Sequence, residues 1–291
     1  NASLDLLSKN MSVSGVKDIS LSDSQSVHVS PLDGNLLLGY NRDFDFSGRI
    51  VTGGTKFEPR FVIHGKNLSF SYDDFIIDLP EIDSIRISVP LLPIQRDRYG
   101  NEKLVKLKTV IQSGSGELLI DAKNNKSGLL KSKYPEFPIF KNFDRSYVYF
   151  DKPSIYDGVY DKESFYFYLD NFIIDSLESF DGRGLEFPGL FSSSDIFPSF
   201  KDTLTMMLDY SLGFIRETPI GGFNVFGGEA KYEGMIALSN QGLQGNGIFK
   251  YLTSTTTSND LNFLPDSIFL FGQSFNLKEV NSGIEFPAIS N

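Results

Sequence analysis

Cysteine and tryptophan are both absent from this 291-residue sequence. Without cysteine the chain has no disulfide framework, no thiol nucleophile and no thiolate ligands for a metal site. Without tryptophan, aromatic packing depends on 27 phenylalanines and 13 tyrosines, and the side chain most often stacked beneath sugar rings is missing. The lack of cysteine does not place the chain in the cytosol, because exported bacterial proteins without disulfides are common.

Positive charge is also scarce. The 27 Lys and Arg residues against 37 Asp and Glu residues leave a net charge of -10. This charge repels phosphate backbones and anionic lipid surfaces, so we expect neither nucleic acid nor a membrane surface as a partner. No apolar run approaches the roughly 18 residues of a membrane-spanning helix, and we therefore expect no transmembrane segment.

The length and composition are those of a globular chain. Hydrophobic residues make up 40% and charged residues 22%, which excludes wholesale disorder. The length suits one large domain or two ordinary ones. Asn1-Ala2 is interpreted as the remnant of a cleaved expression tag. We predict a first β-rich unit over 3–140 and a second over 141–291, either separate from the first or continuous with it.

Helix signals are few and short. The best are 3–10, where a serine can cap a short helix, and 201–209. Neither has the 11 or more periodic residues that define a helix securely. The sequence therefore predicts minimal helix.

Alternating polar and apolar residues recur along the whole chain. Such alternation is typical of half-buried strands, and Gly, Asn and Asp clusters separate the runs at intervals near ten residues. We predict an all-β, mostly antiparallel fold in two related units, built as a sandwich or as an elongated groove or solenoid. The clearest predicted strands are 26–30, 43–47, 83–89, 103–108 and 231–238.

One nine-residue segment occurs twice. The segment 70–78 returns 97 residues later as 167–175, with six of nine positions identical. We predict that the Asp-Asp or Asp-Asn pair in each copy forms a turn or bulge, since both residue types tolerate left-handed conformations. Alternation places four residues of the repeat in the core and its last aspartate in solvent. The core residues are Phe75, Ile77, Phe172 and Ile174, and the exposed ones are Asp78 and Asp175.

No spacing of residues assigns a catalytic or metal site. His28 and His64 lie in strand-like runs, and neither has a second histidine at metal-ligand spacing. A Ser-His-Asp triad assembled from distant residues stays open, although no G-x-S-x-G motif occurs. Gly242–Gly247 is interpreted as a turn or bulge between strands 231–239 and 248–252. We assign no catalytic, cofactor-binding or metal-binding residue and expect no cofactor.

Sugar chemistry remains an alternative. A pair of catalytic carboxylates is defined by its separation in space, which sequence cannot supply. The aromatic runs 147–150 and 165–168 could stack on sugars, but alternating aromatic residues on strands more often cover a sheet face.

Three segments resemble known proteins: DSQSVHVSPLDGNLLLGYNRDFDFSGRIVTGG, LSFSYDDFIIDLPEIDSIRI and YEGMIALSNQGLQGNGIFKYLTSTTTSNDLNFLPDS. They are similar in glycine and aromatic spacing to segments of very large exported envelope proteins of Gram-negative bacteria. The last also resembles the β-rich repeats of AsmA/TamB-like and OstA-like proteins, in which strands line an apolar groove. The resemblance implies an envelope setting and carries no site residue.

These observations favour a non-catalytic structural or interaction module of a larger bacterial envelope protein, in the periplasm or at the cell surface. A glycan-binding or glycan-hydrolysing β-protein is the first alternative. A lipid- or lipopolysaccharide-carrying β-groove is the second. The expected partner is a protein, glycan or lipid of the envelope.

Overall fold

The computed structural model describes residues 1–112, 114–130, 135–144, 146–281 and 284–290. Strands account for 56% of the chain, and the paired strands run antiparallel. The described residues contain no α-helix, only single 3-10 turns at Tyr156–Gly158 and Phe226–Gly228. The all-β prediction is therefore confirmed. None of the helical turns in these ranges is long and apolar enough to cross a membrane.

The strands fall into two compact units that the chain enters alternately. The first unit comprises 1–147 and 169–184, and the second comprises 148–168 and 185–291. The strands that lie in or begin in the first unit are β1 (Ala2–Leu4), β2 (Met11–Ser14), β3 (Ile19–Ser22), β4 (Val27–Pro31), β5 (Asn35–Leu38), β6 (Phe44–Gly54), β7 (Pro59–Ser71), β8 (Ile76–Leu79), β9 (Glu81–Pro90), β10 (Leu104–Lys106), β11 (Ile111–Gln112), β12 (Gly116–Leu119), β13 (Ile139–Asn142), β14 (Ser146–Tyr149) and β16 (Ile173–Ile174).

The strands that lie in or begin in the second unit continue this numbering. They are β15 (Phe165–Leu169), β17 (Glu186–Ser193), β18 (Phe200–Met206), β19 (Leu212–Glu217), β20 (Phe223–Val225), β21 (Ala230–Ser239), β22 (Gly242–Tyr251), β23 (Ser254–Leu264), β24 (Ser267–Asn281) and β25 (Ile284–Ser290). All five of the clearest predicted strands are confirmed, as β4, β6, β9, β10 and β21.

The sheet of the first unit branches at β7. The order β3-β4-β6-β7 is continuous, and β7 then pairs with β9 along its first half and with β8 at its last three residues. On one branch β9 pairs with β10 and β11. On the other, β8 pairs with β12, β12 with β13, and β13 with β16. A separate three-stranded sheet has the order β1-β2-β5.

An irregularity in β7 changes which residues of that strand face the core. Phe61 and Ile63 are buried in the first half, whereas Leu68 and Phe70 are buried in the second. The register shifts between these halves, and Asn67 has a left-handed φ of 54°. An extra residue at a bulge reverses the alternation, so both halves keep an apolar face towards the core.

The second unit is a meander of long antiparallel hairpins. β17, β18 and β19 pair in sequence order, β19 and β20 both pair with β21, and β21 to β25 pair in succession. Aromatic rings fill its core. Phe191 lies 5.2 Å from Phe214 between ring centroids, and Phe197 lies 4.9 Å from Phe263. Such edge-to-face pairs add to the stabilisation from burial.

Tyr160 brings a polar group into that aromatic core. Its ring stacks on Phe165 with centroids 4.0 Å apart. Its hydroxyl donates to the carbonyl of Phe263 and accepts from the backbone N–H of Leu243. Burial raises the pKa of this phenol well above its ordinary value, so the hydroxyl remains a donor.

Neither of the two short helix candidates forms a helix, which agrees with the prediction of minimal helix. Residues 201–206 belong to strand β18, where Thr203 and Thr205 are β-branched and Leu204 alone is buried among them. Residues 3–10 form the end of β1 and a turn, in which Asp5 accepts hydrogen bonds from the Leu7 N–H and the Ser8 hydroxyl. The aspartate therefore stabilises a local turn in place of a helix.

The glycine-rich segment forms no turn, whereas the alternative prediction of a bulge agrees with a register shift within it. Gly242–Gly247 is part of the continuous strand β22, although a register shift against β23 lies between Gly245 and Gly247. The turn itself falls at 240–241. Glycine is required at Gly245, where a Cβ atom would lie 2.6 Å from the Tyr232 hydroxyl.

The two copies of the repeat have similar burial but different local structure. In the first copy residues 72–75 form the predicted turn, which joins β7 to β8. In the second copy residues 170–172 form an irregular connection before β16. The expected core residues Phe75, Ile77, Phe172 and Ile174 are buried, and Asp78 and Asp175 are exposed.

Candidate functional site

Four cationic or titratable side chains converge on the outer face of the first unit. Adjacent strands β6, β7, β9 and β10 contribute one each. With their neighbours they surround a cavity of about 520 Å³, which we call the cationic cleft. Its lining residues are Arg49, Phe57, Glu58, Pro59, Val62, His64, Arg86, Ser88, Leu104 and Lys106.

Strand register explains how the four side chains meet. Arg49 lies directly opposite His64, Val62 opposite Arg86, and Ser88 opposite Lys106. Because successive residues of a strand point to opposite faces, all of these positions share the outer face. The inner face of the same strands carries buried apolar residues that form the core: Ile50, Phe61, Ile63, Ile85 and Ile87.

The cleft has an excess of positive charge in an acidic protein. Three permanent cations, Arg49, Arg86 and Lys106, share it with one carboxylate, Glu58. Neither these three cations nor Glu58 takes part in a salt bridge among the described residues. Like charges on neighbouring strands destabilise a sheet. The clustering of these cations on neighbouring strands therefore does not serve the stability of the fold.

Burial and the positive charge of the cleft both affect the pKa of His64. Burial, and then the positive charges of Arg49 and Arg86, lower the pKa of His64, while Asp83 opposes the shift. Asp83 itself lies 3.4 Å from the Lys66 ammonium, which balances its charge. The imidazole is therefore neutral near pH 7 and becomes easier to protonate when an anion approaches.

The walls of the cleft are partly apolar. Val62 and Leu104 are partly exposed within the face, and the ring of Phe57 is exposed at its rim. The cleft volume falls in the range of small-molecule sites, which combine apolar walls with a few convergent polar groups. This arrangement suits a ligand that has both a negative and an apolar part.

A second, smaller cavity of about 210 Å³ in the same unit is acidic. Asp121, Glu136 and Glu178 line it together with Gln25 and Phe137. Asp121 is buried and accepts hydrogen bonds from Gln25 and from the side chain of Asn125, among others. It therefore holds the surrounding loop in place.

Glu178 is the less satisfied carboxyl of this acidic cavity. Its Oε1 accepts a hydrogen bond of 3.3 Å from the Ser26 hydroxyl, whereas its Oε2 is buried with no hydrogen-bond partner among the described residues. Burial raises the pKa of Glu178, although the Ser26 hydroxyl, the charge of Arg60 and the Gly54 backbone N–H partly oppose the shift. A carboxyl in this setting can keep a proton to higher pH than an exposed one.

The histidines singled out in the sequence lie on two strands of one sheet, β4 and β7, with β6 between them. His28 is opposite Val51 on β6, and its Nδ1 is 3.4 Å from Asp18. His64 Nδ1 is 3.4 Å from the Ser84 hydroxyl. Among the described residues no group of three or more His, Asp or Glu side chains is arranged to hold a metal ion.

The predicted aromatic runs cover sheet faces. Phe165 and Phe167 are buried, and the intervening tyrosines are partly exposed. Sequence reasoning missed the cationic cleft because its members come from four separate runs. The one sequence feature that pointed towards this cleft is that Arg86 and Lys106 occupy polar positions of predicted strands.

No family model matches the chain, and no curated protein or solved structure is significantly similar to it.

Proposed function

We propose that this chain is a non-catalytic interaction module of a larger extracytoplasmic envelope protein, and that it binds an acidic ligand in the cationic cleft. The observation that carries the proposal is the convergence of Arg49, Arg86 and Lys106 without salt-bridge partners. The resemblance of three segments to exported envelope proteins supports the setting. The net charge of -10 favours a compact ligand, because an extended polyanion would be repelled by the rest of the surface.

The surroundings of His64 favour binding over catalysis. Among the described residues Ser84 is the one whose hydroxyl is hydrogen-bonded to this imidazole, and its 3.4 Å contact is longer than the usual nucleophile-base distance. A general base must become an imidazolium, which nearby Arg49 would destabilise. No carboxylate among the described residues is hydrogen-bonded to the other ring nitrogen to orient it, as a triad requires.

A thermal-shift panel of matched neutral and anionic ligands tests this function. The panel contains benzamide against benzoate, benzyl alcohol against phenyl phosphate, and galactose against galacturonate. We expect the anionic members to raise the melting temperature and the neutral members to leave it unchanged. The double variant Arg49→Gln, Arg86→Gln should lose the response, whereas Lys250→Gln, which removes an exposed charge from the second unit, should keep it.

Two results would contradict the proposal. Equal responses to neutral and anionic ligands would show that charge does not govern binding. Turnover of any bound ligand, followed by product analysis over several hours, would show that the module is an enzyme.

The acidic cavity supports a second candidate function, glycan binding or hydrolysis. Glu178 has a raised pKa and lines the same cavity as the hydrogen-bonded Asp121, and such unequal pairs of carboxyls serve as acid and base in glycosidases. Phe137 offers a ring for sugar stacking. Hydrolysis of a neutral oligosaccharide that Glu178→Gln abolishes would favour this function, and its absence across a glycan panel would exclude hydrolysis.

A further inference from the structure

The number of cations in the cleft indicates the charge of its ligand. Arg49, Arg86 and Lys106 supply three positive charges, and His64 can add a fourth. A carboxylate brings one negative charge, whereas a phosphate monoester brings about -1.5 to -2 at pH 7 and three acceptor oxygens. Guanidinium groups also bind phosphate oxygens through paired N–H donors. The charge balance therefore favours a dianion.

The size and walls of the cleft indicate that the anion belongs to a larger molecule. A cavity of about 520 Å³ is in the range occupied by organic ligands of some size. Val62 and Leu104 separate the outward charges and give part of the cleft an apolar surface. Burying an apolar group of the ligand against these two side chains adds to its affinity. An inorganic anion has no such group and gains nothing from them.

We propose that the cationic cleft binds the phosphate monoester of an organic molecule, with the phosphoryl oxygens on Arg49, Arg86 and Lys106 and the organic body against Val62 and Leu104. This inference rests on the proposed function and specifies the ligand class of the same site. His64 stands directly opposite Arg49 and donates to the phosphoryl group once it is protonated. Glu58 at the rim disfavours ligands with further negative charge on the organic body.

Calorimetric titration with four small probes tests this ligand class. Phenyl phosphate is a dianion with an apolar ring, benzoate and benzenesulfonate are monoanions with the same ring, and inorganic phosphate has no ring. We expect phenyl phosphate to bind at least about tenfold more tightly than each of the others. Arg86→Gln should weaken its binding about tenfold or more, and the charge-matched control Lys250→Gln should leave it unchanged.

The outcomes separate this inference from the proposed function. Equal affinities for phenyl phosphate and the monoanions would overturn the ligand class while leaving an acid-binding module intact. No binding by any anion would overturn both. If inorganic phosphate bound as tightly as phenyl phosphate, the role of the apolar wall would be wrong.

Two further probes distinguish the source of the phosphate. One is a soluble hexose 1-phosphate, and the other is a phosphatidylcholine vesicle that contains phosphatidic acid. Binding of either, with loss in Arg86→Gln, supports the proposal and identifies a sugar or a lipid as the carrier. Tight binding of phenyl phosphate with binding of neither carrier supports the ligand class and excludes these two carriers.

Discussion

Ile77 and Ile174 lie in one cross-strand row of the first unit, with one residue of β12 and one of β13 between them. Ile77 pairs with Leu118, Leu118 with Phe140, and Phe140 with Ile174. Because each of the three pairings is antiparallel, the strands that carry the two isoleucines run in opposite directions. The repeated segments therefore place β8 and β16 on opposite sides of the β12-β13 pair, and the sheet continues from β8 to β7.

This arrangement predicts that the repeat is structural and that its two faces differ in energetic importance. Phe75 and Phe172 are buried, whereas Asp78 and Asp175 are exposed. We expect Phe75→Ala and Phe172→Ala each to lower the free energy of unfolding by about 3–5 kcal/mol, the usual cost of deleting a buried ring. The matched changes Asp78→Ala and Asp175→Ala should cost less than about 1 kcal/mol. Urea denaturation measures the free energy of unfolding of all four variants. If the aspartate variants lost as much stability as the phenylalanine variants, the structural role would be contradicted.

Tyr160 provides a test of the core of the second unit. Its hydroxyl joins the carbonyl of Phe263, 2.7 Å away, to the N–H of Leu243, 3.1 Å away. Tyr160→Phe preserves the ring but leaves both backbone groups without this partner in a buried setting. We expect a loss of about 1–3 kcal/mol in the free energy of unfolding.

Urea denaturation measures this loss as well. Tyr251→Phe is the control, because Tyr251 is 46% exposed and its change should cost under about 0.5 kcal/mol. Similar small effects for both variants would show that the hydroxyl of Tyr160 contributes nothing to stability.

Glu178 should make stability depend on pH. Burial raises its pKa in the folded protein above the ordinary value of 4.5, so the folded state binds a proton more tightly than the unfolded state. Stability from this group is present below about pH 4.5 and is lost as the pH rises through the folded pKa. We therefore expect Glu178→Gln to be more stable than the wild type at pH 7.5 and nearly equal to it at pH 4.

Denaturation curves at the two pH values measure this difference. Gln95→Ala is the control, since Gln95 is exposed and carries no ionisable group, so its difference from the wild type should be the same at both pH values. A constant difference between Glu178→Gln and the wild type would show that the carboxyl does not ionise differently on folding.

His64 should couple ligand binding to proton uptake. Its pKa is lowered in the free protein by burial, Arg49 and Arg86, with Asp83 opposing and Ser84 hydrogen-bonded. A bound dianion raises that pKa, so the complex binds more protons and His64 adds affinity as the pH falls. The ratio of wild-type to His64→Gln affinity for phenyl phosphate should therefore increase from pH 8 to pH 6.

Calorimetry at pH 8, 7 and 6 measures this ratio. Comparing the two proteins removes the contribution of the ligand, whose own second pKa is near 6. Ser84→Ala should keep the pH dependence of the wild type. Parallel profiles for the wild type and His64→Gln would show that His64 takes no proton on binding.

Local sequence pattern was sufficient to predict strands, because the alternation of side chains is a property of each strand by itself. The runs 83–89 and 231–238 alternate clearly, and both form strands. Where the local pattern was compatible with both a helix and a strand, tertiary packing determined the secondary structure. Residues 201–206 are such a case, because pairing with β17 and burial of Leu204 make the segment a strand.

The cationic cleft depended on tertiary structure alone. Arg49, His64, Arg86 and Lys106 are 15 or more residues apart along the chain, and only strand order and register bring them to one face. The placement of these side chains on one face depends strongly on register. At the bulge at Asn67, one extra residue exchanges the two faces of the strand. Alternation is therefore readable from the sequence, whereas register is set by pairing between distant strands, and the site follows from the register.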